Sequence, residues 1–142
     1  MLTLAIIKPD ALEARNAGKI LAHLEQEGFV VRAARLLKLT TTQAEAFYEV
    51  HRARPFYRSL VTFMTSGPVL ALALERDDAV AHLRDVIGAT DPAEAKPGTI
   101  RQRYARSKEQ NAIHASDSPD TAAREVAFFF AGGELRDLSP PR

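Results

Sequence analysis

The chain has 142 residues, of which 46% are hydrophobic and 26% charged, as expected for one globular domain. Its 19 basic and 18 acidic residues give a net charge of +1, which argues against a general nucleic-acid-binding function. Cysteine is absent, so disulfides, thiolate metal sites and cysteine nucleophiles are excluded. We expect no signal peptide and no membrane span, because the start lacks a basic region and no apolar run approaches ~20 residues. A cytoplasmic enzyme or binding domain is the remaining expectation.

Three apolar segments predict β-strands. Residues 2–7 form a short apolar run that stops at Lys8-Pro9-Asp10, which indicates a buried strand followed by a turn. Residues 29–39 and 69–74, both rich in Val and Leu, predict two more strands. A fourth strand is not obvious, and its best candidate lies in or after the last apolar region, near Phe130.

Helical spacing of apolar residues predicts five helices between and after these strands. Residues 88–114 show no such pattern and predict a long irregular loop, and loops longer than ~12–15 residues are often functional. The alternation of elements favours an α/β sandwich, with the split βαβ arrangement as the leading version. One domain should cover residues 1–142, with residues 132–142 as a surface tail or interface arm. The helix limits are indicated by Gly28, a Thr42–Glu45 capping box, Pro55, Asp77 and Ser118-Pro119.

Glu125 is the most informative anomaly in the sequence. It shares the helical spacing of Ala122, Val126 and Phe129, so a carboxylate falls in an apolar stripe. A buried carboxylate needs a partner, and one interpretation is that it orients a basic side chain, above all a histidine. The alternative is that the helix phase is misjudged and that Glu125 lies at the solvent-exposed rim.

Among the four histidines, His114 is the strongest candidate for chemistry. A histidine in a loop is usually exposed and inert. His114, however, ends the long loop and precedes the helix that carries Glu125, which distinguishes it from the three others, His23, His51 and His82.

The long loop and the preceding helix also carry candidate phosphate-binding residues. Arg84, Thr90 and Arg101 could surround phosphate oxygens, although isolated arginines are usually solvated. Neither a P-loop nor a Rossmann glycine pattern is present, so side chains would have to bind any phosphate. Tyr48 and Phe56 could offer an aromatic platform for a base, although core packing is the commoner fate of both.

Six segments, in order between residues 2 and 131, resemble the signature segments of nucleoside diphosphate kinases. The resemblance implies a ferredoxin-like α/β sandwich with a four-stranded antiparallel sheet. It also implies ping-pong transfer of the γ-phosphate of a nucleoside triphosphate, typically ATP, to a nucleoside diphosphate, with broad base tolerance. Such a reaction balances the nucleotide pools. The segments are Lys8-Pro9-Asp10, Arg54-Pro55-Phe56-Tyr57, Thr65-Ser66-Gly67-Pro68, Gly88-Ala89-Thr90-Asp91-Pro92, Pro97-Gly98-Thr99-Ile100-Arg101 and Asn111-Ala112-Ile113-His114-Ala115-Ser116-Asp117-Ser118.

The resemblance also assigns roles to single residues. His114 matches the nucleophile that becomes phosphohistidine, and Glu125 matches the carboxylate that supports its ring, with Ser116 behind that carboxylate. Of the nucleotide-site matches, Phe56 would stack on the base, and Lys8 and Asn111 would reach the sugar hydroxyls near the transferred phosphate. The two arginines and the threonine would hold the phosphates. The full set of nucleotide-site matches is Lys8, Tyr48, Phe56, Arg84, Thr90, Arg101 and Asn111, of which Lys8 and Tyr48 also count as catalytic.

The resemblance further implies Mg²⁺ and self-association. We expect the nucleotide phosphates and water to carry the Mg²⁺, because no carboxylate cluster marks a dedicated cage. We expect a homo-oligomer, a tetramer or hexamer built from dimers, with no membrane and no obligatory nucleic-acid partner. A non-enzymatic nucleotide- or single-strand-binding module is the competing hypothesis, supported by Gln102-Arg103, Arg106 and Lys108.

Five positions depart from the family pattern. Ala115 stands where the family usually has glycine after the histidine, which would matter if that backbone needs positive φ. The other departures are Ala11, Tyr57 and the pair Gln102-Arg103.

Overall fold

A computed structural model describes residues 1–136 as a four-stranded sheet covered by helices. The strand order is β2-β3-β1-β4, and every neighbouring pair is antiparallel. The predicted ferredoxin-like α/β sandwich is therefore confirmed. The strands are β1 (Leu2–Ile7), β2 (Val30–Leu37), β3 (Val69–Glu75) and β4 (Ile113–Ala115). The helices are α1 (Pro9–Glu13), α2 (Ala17–Gln26), α3 (Thr41–Phe47), α4 (Tyr57–Met64), α5 (Ala79–Ile87), α6 (Ile100–Tyr104), α7 (Pro119–Phe129) and α8 (Gly132–Arg136), with a 3₁₀ turn at Glu49–His51.

The central strand β1 is apolar throughout because both of its faces are covered. Leu4 and Ile6 belong to the apolar cluster that the sheet shares with α3, α4 and α7. Ala5 and Ile7 belong to a second cluster, on the other face, shared with α2 and α5. A strand buried on both faces reads as a continuous apolar run rather than as an alternation.

The first three predicted strands and the last predicted helix are confirmed. Gly28 follows α2 with φ +89, as a helix-terminating glycine does. At the start of α7 the Ser118 hydroxyl accepts a hydrogen bond from the Thr121 N–H, and Pro119 occupies the first turn. This cap fixes where α7 begins and hence which of its residues face the sheet.

Three predicted helix starts are wrong by one or two residues. The capping box at α3 is formed by Thr40 and Gln43, because a helix that begins there directs Ala44 and Phe47 into the core. The N-cap of α5 is Asp78 rather than Asp77. The helix α4 begins at Tyr57 rather than at Pro55.

The sequence predicted one irregular loop over residues 88–114, and this prediction is wrong. These residues contain α6, which Thr99 caps by accepting a hydrogen bond from the Gln102 N–H, and most of β4. The fourth strand thus lies before the last helix, and the prediction that it lies in or after the final apolar region is wrong. The predicted tail begins with α8, and residues 137–142 lie outside the described residues.

Candidate functional site

The sequence predicted that His114 lies in a loop, but the residue lies on β4. The antiparallel register pairs it with Ile6 of β1. Residues directly opposite each other in a sheet project from the same face. His114 therefore faces the cluster that α3 and α7 cover, which is the face on which Glu125 is buried.

Glu125 joins His114 and Ser116 in one hydrogen-bonded group. The His114 Nε2 lies 2.8 Å from Glu125 Oε1, and the Ser116 hydroxyl donates to the same oxygen at 2.7 Å. Glu125 is only 7% exposed, so its place in the apolar stripe of α7 was read correctly from the sequence. Because an ionised carboxylate only accepts hydrogen bonds, Nε2 carries the ring proton and the lone pair lies on Nδ1.

The charged form of Glu125 is stabilised where it lies. Burial alone opposes ionisation of this carboxyl, but the hydrogen bond and charge of His114 and the hydroxyl of Ser116 outweigh burial. Together they hold the pKa of Glu125 below its ordinary value. An ionised carboxylate at this position can stabilise positive charge that develops on the imidazole ring.

Aromatic rings enclose the imidazole of His114. Phe47 packs edge-on against it with 5.3 Å between ring centroids, and Tyr48 does so at 6.2 Å. Phe47 belongs to the core cluster on this face, and the sequence did not predict it as a site residue. Only the sheet register, which sets His114 opposite α3, could have shown this contact.

A cavity of about 420 Å³ opens in front of His114. Such a volume is within the usual range for small-molecule sites. Six of the predicted site residues line it: Lys8, Tyr48, Phe56, Thr90, Asn111 and His114. Four further residues that were not predicted from the sequence also line it: His51, Leu60, Lys108 and Glu109.

Two aromatic residues that the sequence could not tell apart have different environments. Tyr48 is 4% exposed and packs into the core, where burial and the charge of Glu125 raise the pKa of its phenol. Phe56 is 44% exposed and lines the cavity, so its ring is open to solvent there. Phe56 is thus the ring available to a ligand.

Lys8 supplies a buried cation to the cavity. It is 6% exposed, and its ammonium group donates to the Glu109 carbonyl oxygen at 3.4 Å. Burial, followed by the positive charge of Arg101, lowers the pKa of Lys8 to about 8. A bound anion would favour the charged form of this lysine.

Arg84 and Arg101 flank the strand of His114 and do not line the cavity. Arg101 donates to the Ile113 carbonyl oxygen at 2.8 Å, and burial together with the charge of Arg84 lowers its pKa to about 10. Arg84 lies 3.0 Å from the Asp117 carboxylate. The two guanidinium groups thus lie beside β4, next to the two residues that flank His114.

Asn111 connects β4 with the loop after α5. Its side-chain N–H donates to the Thr90 carbonyl oxygen at 3.3 Å, and its side-chain oxygen Oδ1 is buried without a hydrogen-bond partner among residues 1–136. Within the same residues, positive φ values outside glycine occur at Arg15 and Ala112, so Ala115 needs no glycine-like backbone. The departure at Ala115 leaves the histidine's backbone unstrained.

Comparisons with known proteins agree with this geometry. A family model described as nucleoside diphosphate kinase matches residues 2–135. The nucleoside diphosphate kinase of Sorangium cellulosum is 59% identical over 133 residues, which cover 94% of this chain and 92% of that protein. The corresponding enzyme of Acidiphilium cryptum is 54% identical, with 94% and 95% covered.

Solved structures give the same result. The nucleoside diphosphate kinase of Aquifex aeolicus superposes with a TM-score of 0.93 at 48% identity, covering 94% of this chain and 97% of that one. The chain belongs to the nucleoside diphosphate kinase family. It is therefore a phosphotransferase that moves the γ-phosphate of a nucleoside triphosphate to a nucleoside diphosphate. A further family member, from Halobacterium salinarum and solved in complex with CDP, superposes with a TM-score of 0.93 at 37% identity, covering 99% and 93%.

Two further features are absent from residues 1–136. No group of three or more His, Asp or Glu side chains there could hold a metal ion. No helix in the same part of the chain has the length and hydropathy needed to cross a bilayer.

Proposed function

We propose that His114 carries the phosphate between the two nucleotides of this family's reaction. The observation that carries the proposal is the hydrogen bond between His114 Nε2 and Glu125 Oε1, because it leaves Nδ1 as the nucleophilic nitrogen. Nδ1 attacks the γ-phosphorus, and the bond from that phosphorus to the β-phosphate oxygen breaks. The diphosphate leaves, and a second diphosphate then takes the phosphoryl group from Nδ1.

Glu125 has its largest effect when the ring becomes charged. Attack through Nδ1 with a proton retained on Nε2 makes the imidazole cationic, and the adjacent carboxylate stabilises that charge. Phosphoryl transfer has a loose transition state with charge on its equatorial oxygens, so positioned cations supply much of the catalysis. Lys8 lines the cavity, and Arg84 and Arg101 lie beside the histidine's strand, where they add positive potential.

Nucleotide recognition would be divided between base, sugar and phosphates. We assign the base to the exposed ring of Phe56, and stacking on a ring face tolerates any base. Lys8 and Asn111 would contact the sugar hydroxyls near the transferred phosphate. The loop residue Thr90 would join the two arginines in binding the phosphates.

Mg²⁺ belongs to the nucleotide in this proposal. Among the described residues, the carboxylate nearest the reacting histidine, Glu125, is already engaged by His114 and Ser116. Asp117 is paired with Arg84. Because both carboxylates are engaged, Mg²⁺ would keep its phosphate and water ligands. It would neutralise charge on those phosphates.

Self-association and cytoplasmic location stay predictions from the sequence. We propose a homo-oligomer, a tetramer or hexamer built from dimers. Light scattering that shows only the 15.6 kDa monomer would reject it.

The decisive experiment is phosphoenzyme formation. Protein mixed with γ-³²P-labelled ATP and Mg²⁺ should acquire an acid-labile, alkali-stable label at position 114, and adding dCDP should convert the label to dCTP. His114→Ala should lose both, whereas the control His23→Ala on α2 should lose neither. Nucleotide binding with no label on the unmutated protein would instead support the non-enzymatic binding module.

A further inference from the structure

The residues just before His114 form a strained turn. The Ile113 N–H donates to the Asn111 carbonyl oxygen at 2.9 Å, and Ala112 between them has φ +73. A hydrogen bond across three residues with positive φ at the centre is the rarer form of γ-turn, which is strained for a residue with a Cβ atom. The proposed nucleophile therefore follows a backbone conformation that alanine does not adopt readily.

The junction of β1 and α1 holds both backbone groups of Ala112. The Ala112 N–H donates to Asp10 Oδ2 at 3.1 Å, and the Ala112 carbonyl oxygen accepts from the Lys8 N–H at 2.9 Å. Asp10 is 2% exposed in the first turn of α1. Strained backbone persists only where its surroundings fix it, and these two hydrogen bonds are the fixing contacts that the structure provides.

Asp10 is a buried carboxylate to which the sequence analysis assigned no role. Burial raises its pKa, while the Lys8 ammonium and the Ala112 N–H favour its charged form. Its second oxygen, Oδ1, has no hydrogen-bond partner among residues 1–136. Burying a carboxylate that has few hydrogen-bond partners costs free energy. Its hydrogen bond to the turn therefore calls for an explanation.

The turn controls two side chains of the proposed site at once. Asn111 precedes Ala112 and lines the cavity, and His114 follows two residues later on β4. If the backbone at Ala112 relaxed to negative φ, the peptide planes on both sides would rotate. Asn111 and His114 would then no longer be held in their present relation to each other.

We propose that Asp10 is a positioning residue for the phosphoryl transfer: it holds the turn of residues 111–113 so that Asn111 and His114 are presented together to the nucleotide. This inference rests on the proposed function, because it takes His114 as the phosphate carrier. Asp10 does not line the cavity in front of His114 and acts through Ala112.

The chain offers a matched control for Asp10. The helix α7 opens with the same Pro-Asp pair, Pro119-Asp120, but Asp120 is exposed. Each aspartate lies in a first helical turn, where a negative charge interacts favourably with the helix dipole. Asp120→Ala therefore removes the helix contribution without touching the turn before His114.

The experiment compares Asp10→Ala, Asp10→Asn and Asp120→Ala by the single-turnover rate of phosphohistidine formation at saturating ATP and Mg²⁺. We expect Asp10→Ala to slow this step roughly tenfold or more, the size of effect that releasing such strain allows. Asp10→Asn keeps an oxygen that can accept from Ala112 and should stay within about threefold of the unmutated rate. Asp120→Ala should not differ from the unmutated protein.

A second comparison covers the case in which Asp10→Ala fails to fold. Glycine adopts positive φ without a Cβ penalty, so the turn needs less support in an Ala112→Gly background. Removing the carboxylate in that background should slow phosphohistidine formation by less than threefold. An equal loss in both backgrounds, or an Asp10→Asn variant as slow as Asp10→Ala, would overturn the proposal.

Hydrogen exchange at the Ala112 amide separates this inference from the proposed function. Unmutated protein that forms no phosphohistidine would reject His114 as the carrier, whatever Asp10 does. The Ala112 amide should exchange at least tenfold faster in Asp10→Ala than in Asp10→Asn, with the His114 ring resonances displaced in the former. Unchanged exchange and ring resonances in Asp10→Ala would reject the positioning role even in an active enzyme.

Discussion

Replacing Glu125 is the sharpest test of how the site prepares its histidine. One oxygen of this carboxylate accepts from both His114 Nε2, at 2.8 Å, and the Ser116 hydroxyl, at 2.7 Å. Glu125→Ala removes both contacts, so the His114 Nε2–H and the Ser116 hydroxyl lose the oxygen to which they donate. Glu125→Gln keeps a neutral oxygen at the same position and removes only the charge.

The two variants should differ by a predictable amount. A hydrogen bond to a charged group contributes about 1.5–3 kcal/mol, and a neutral one about 0.5–1.5 kcal/mol. Glu125→Gln should therefore cost about 1.5 kcal/mol in the transition state, or about tenfold in rate. Glu125→Ala should cost about 3 kcal/mol, or roughly 100-fold, because the ring also loses its orientation.

The assay is the rate of phosphohistidine formation in a single turnover, with nucleotide affinity measured separately by calorimetry. We expect the loss in the rate and little change in affinity, since Glu125 does not line the cavity. Glu25→Gln is the matched control, because it removes an exposed carboxylate from α2 on the other face of the sheet. If His114 were phosphorylated in Glu125→Ala at the unmutated rate, the carboxylate could not be the group that orients the imidazole ring.

Lys8, Phe56 and Gly88 provide three further tests. Burial lowers the pKa of Lys8 to about 8, so the charge of this lysine is lost as pH rises through that value. We expect the KM for nucleotide to rise between pH 7 and 9. The same rise should be much smaller in Lys8→Met. Phe56→Ala should raise the KM for ATP, GTP and CTP alike by roughly 5- to 150-fold, from the ~1–3 kcal/mol of base stacking; an effect on one base alone would contradict the assignment. A Cβ on Gly88 (φ +87) would lie 2.6 Å from Thr99 Oγ1, whereas one on Gly98 (φ +89) would meet nothing within 4 Å. Urea unfolding should therefore show a loss of about 1 kcal/mol for Gly98→Ala and of about 2–4 kcal/mol for Gly88→Ala, and equal losses would exclude the clash.

The pairing of Glu125 with a histidine could be predicted because the signal is local. Helical spacing alone puts a carboxylate on the buried face of α7, and the Ser118-Pro119 cap fixes the phase of that helix. Burial of a charge then demands a basic partner nearby. His114 satisfies that demand at a separation of eleven residues, within reach of reasoning from one segment of the chain.

The fourth strand could not be predicted in the same way, because its cause is distant in sequence. Ile113–Ala115 is three residues long, which is too short to show an alternation. It is a strand because it pairs with β1, more than 100 residues earlier, and that pairing is what directs His114 toward α3 and α7. The contact of Phe47 with the imidazole ring depends on the same long-range pairing, so it could not be predicted from the sequence either.

The short helix α6 is a different case, because a local signal for it was present. Thr99 and Gln102 have the spacing of a cap, and the Thr99 hydroxyl accepts from the Gln102 N–H. With only five residues, two of them buried, α6 has little periodicity to add to that cap. Yet this helix holds Arg101, whose guanidinium donates to the carbonyl oxygen just before His114. The position of the buried Arg101, beside the proposed nucleophile, thus depends on the Thr99 cap and on one buried helical turn. Thr99→Ala should therefore loosen Arg101 before it unfolds the sheet.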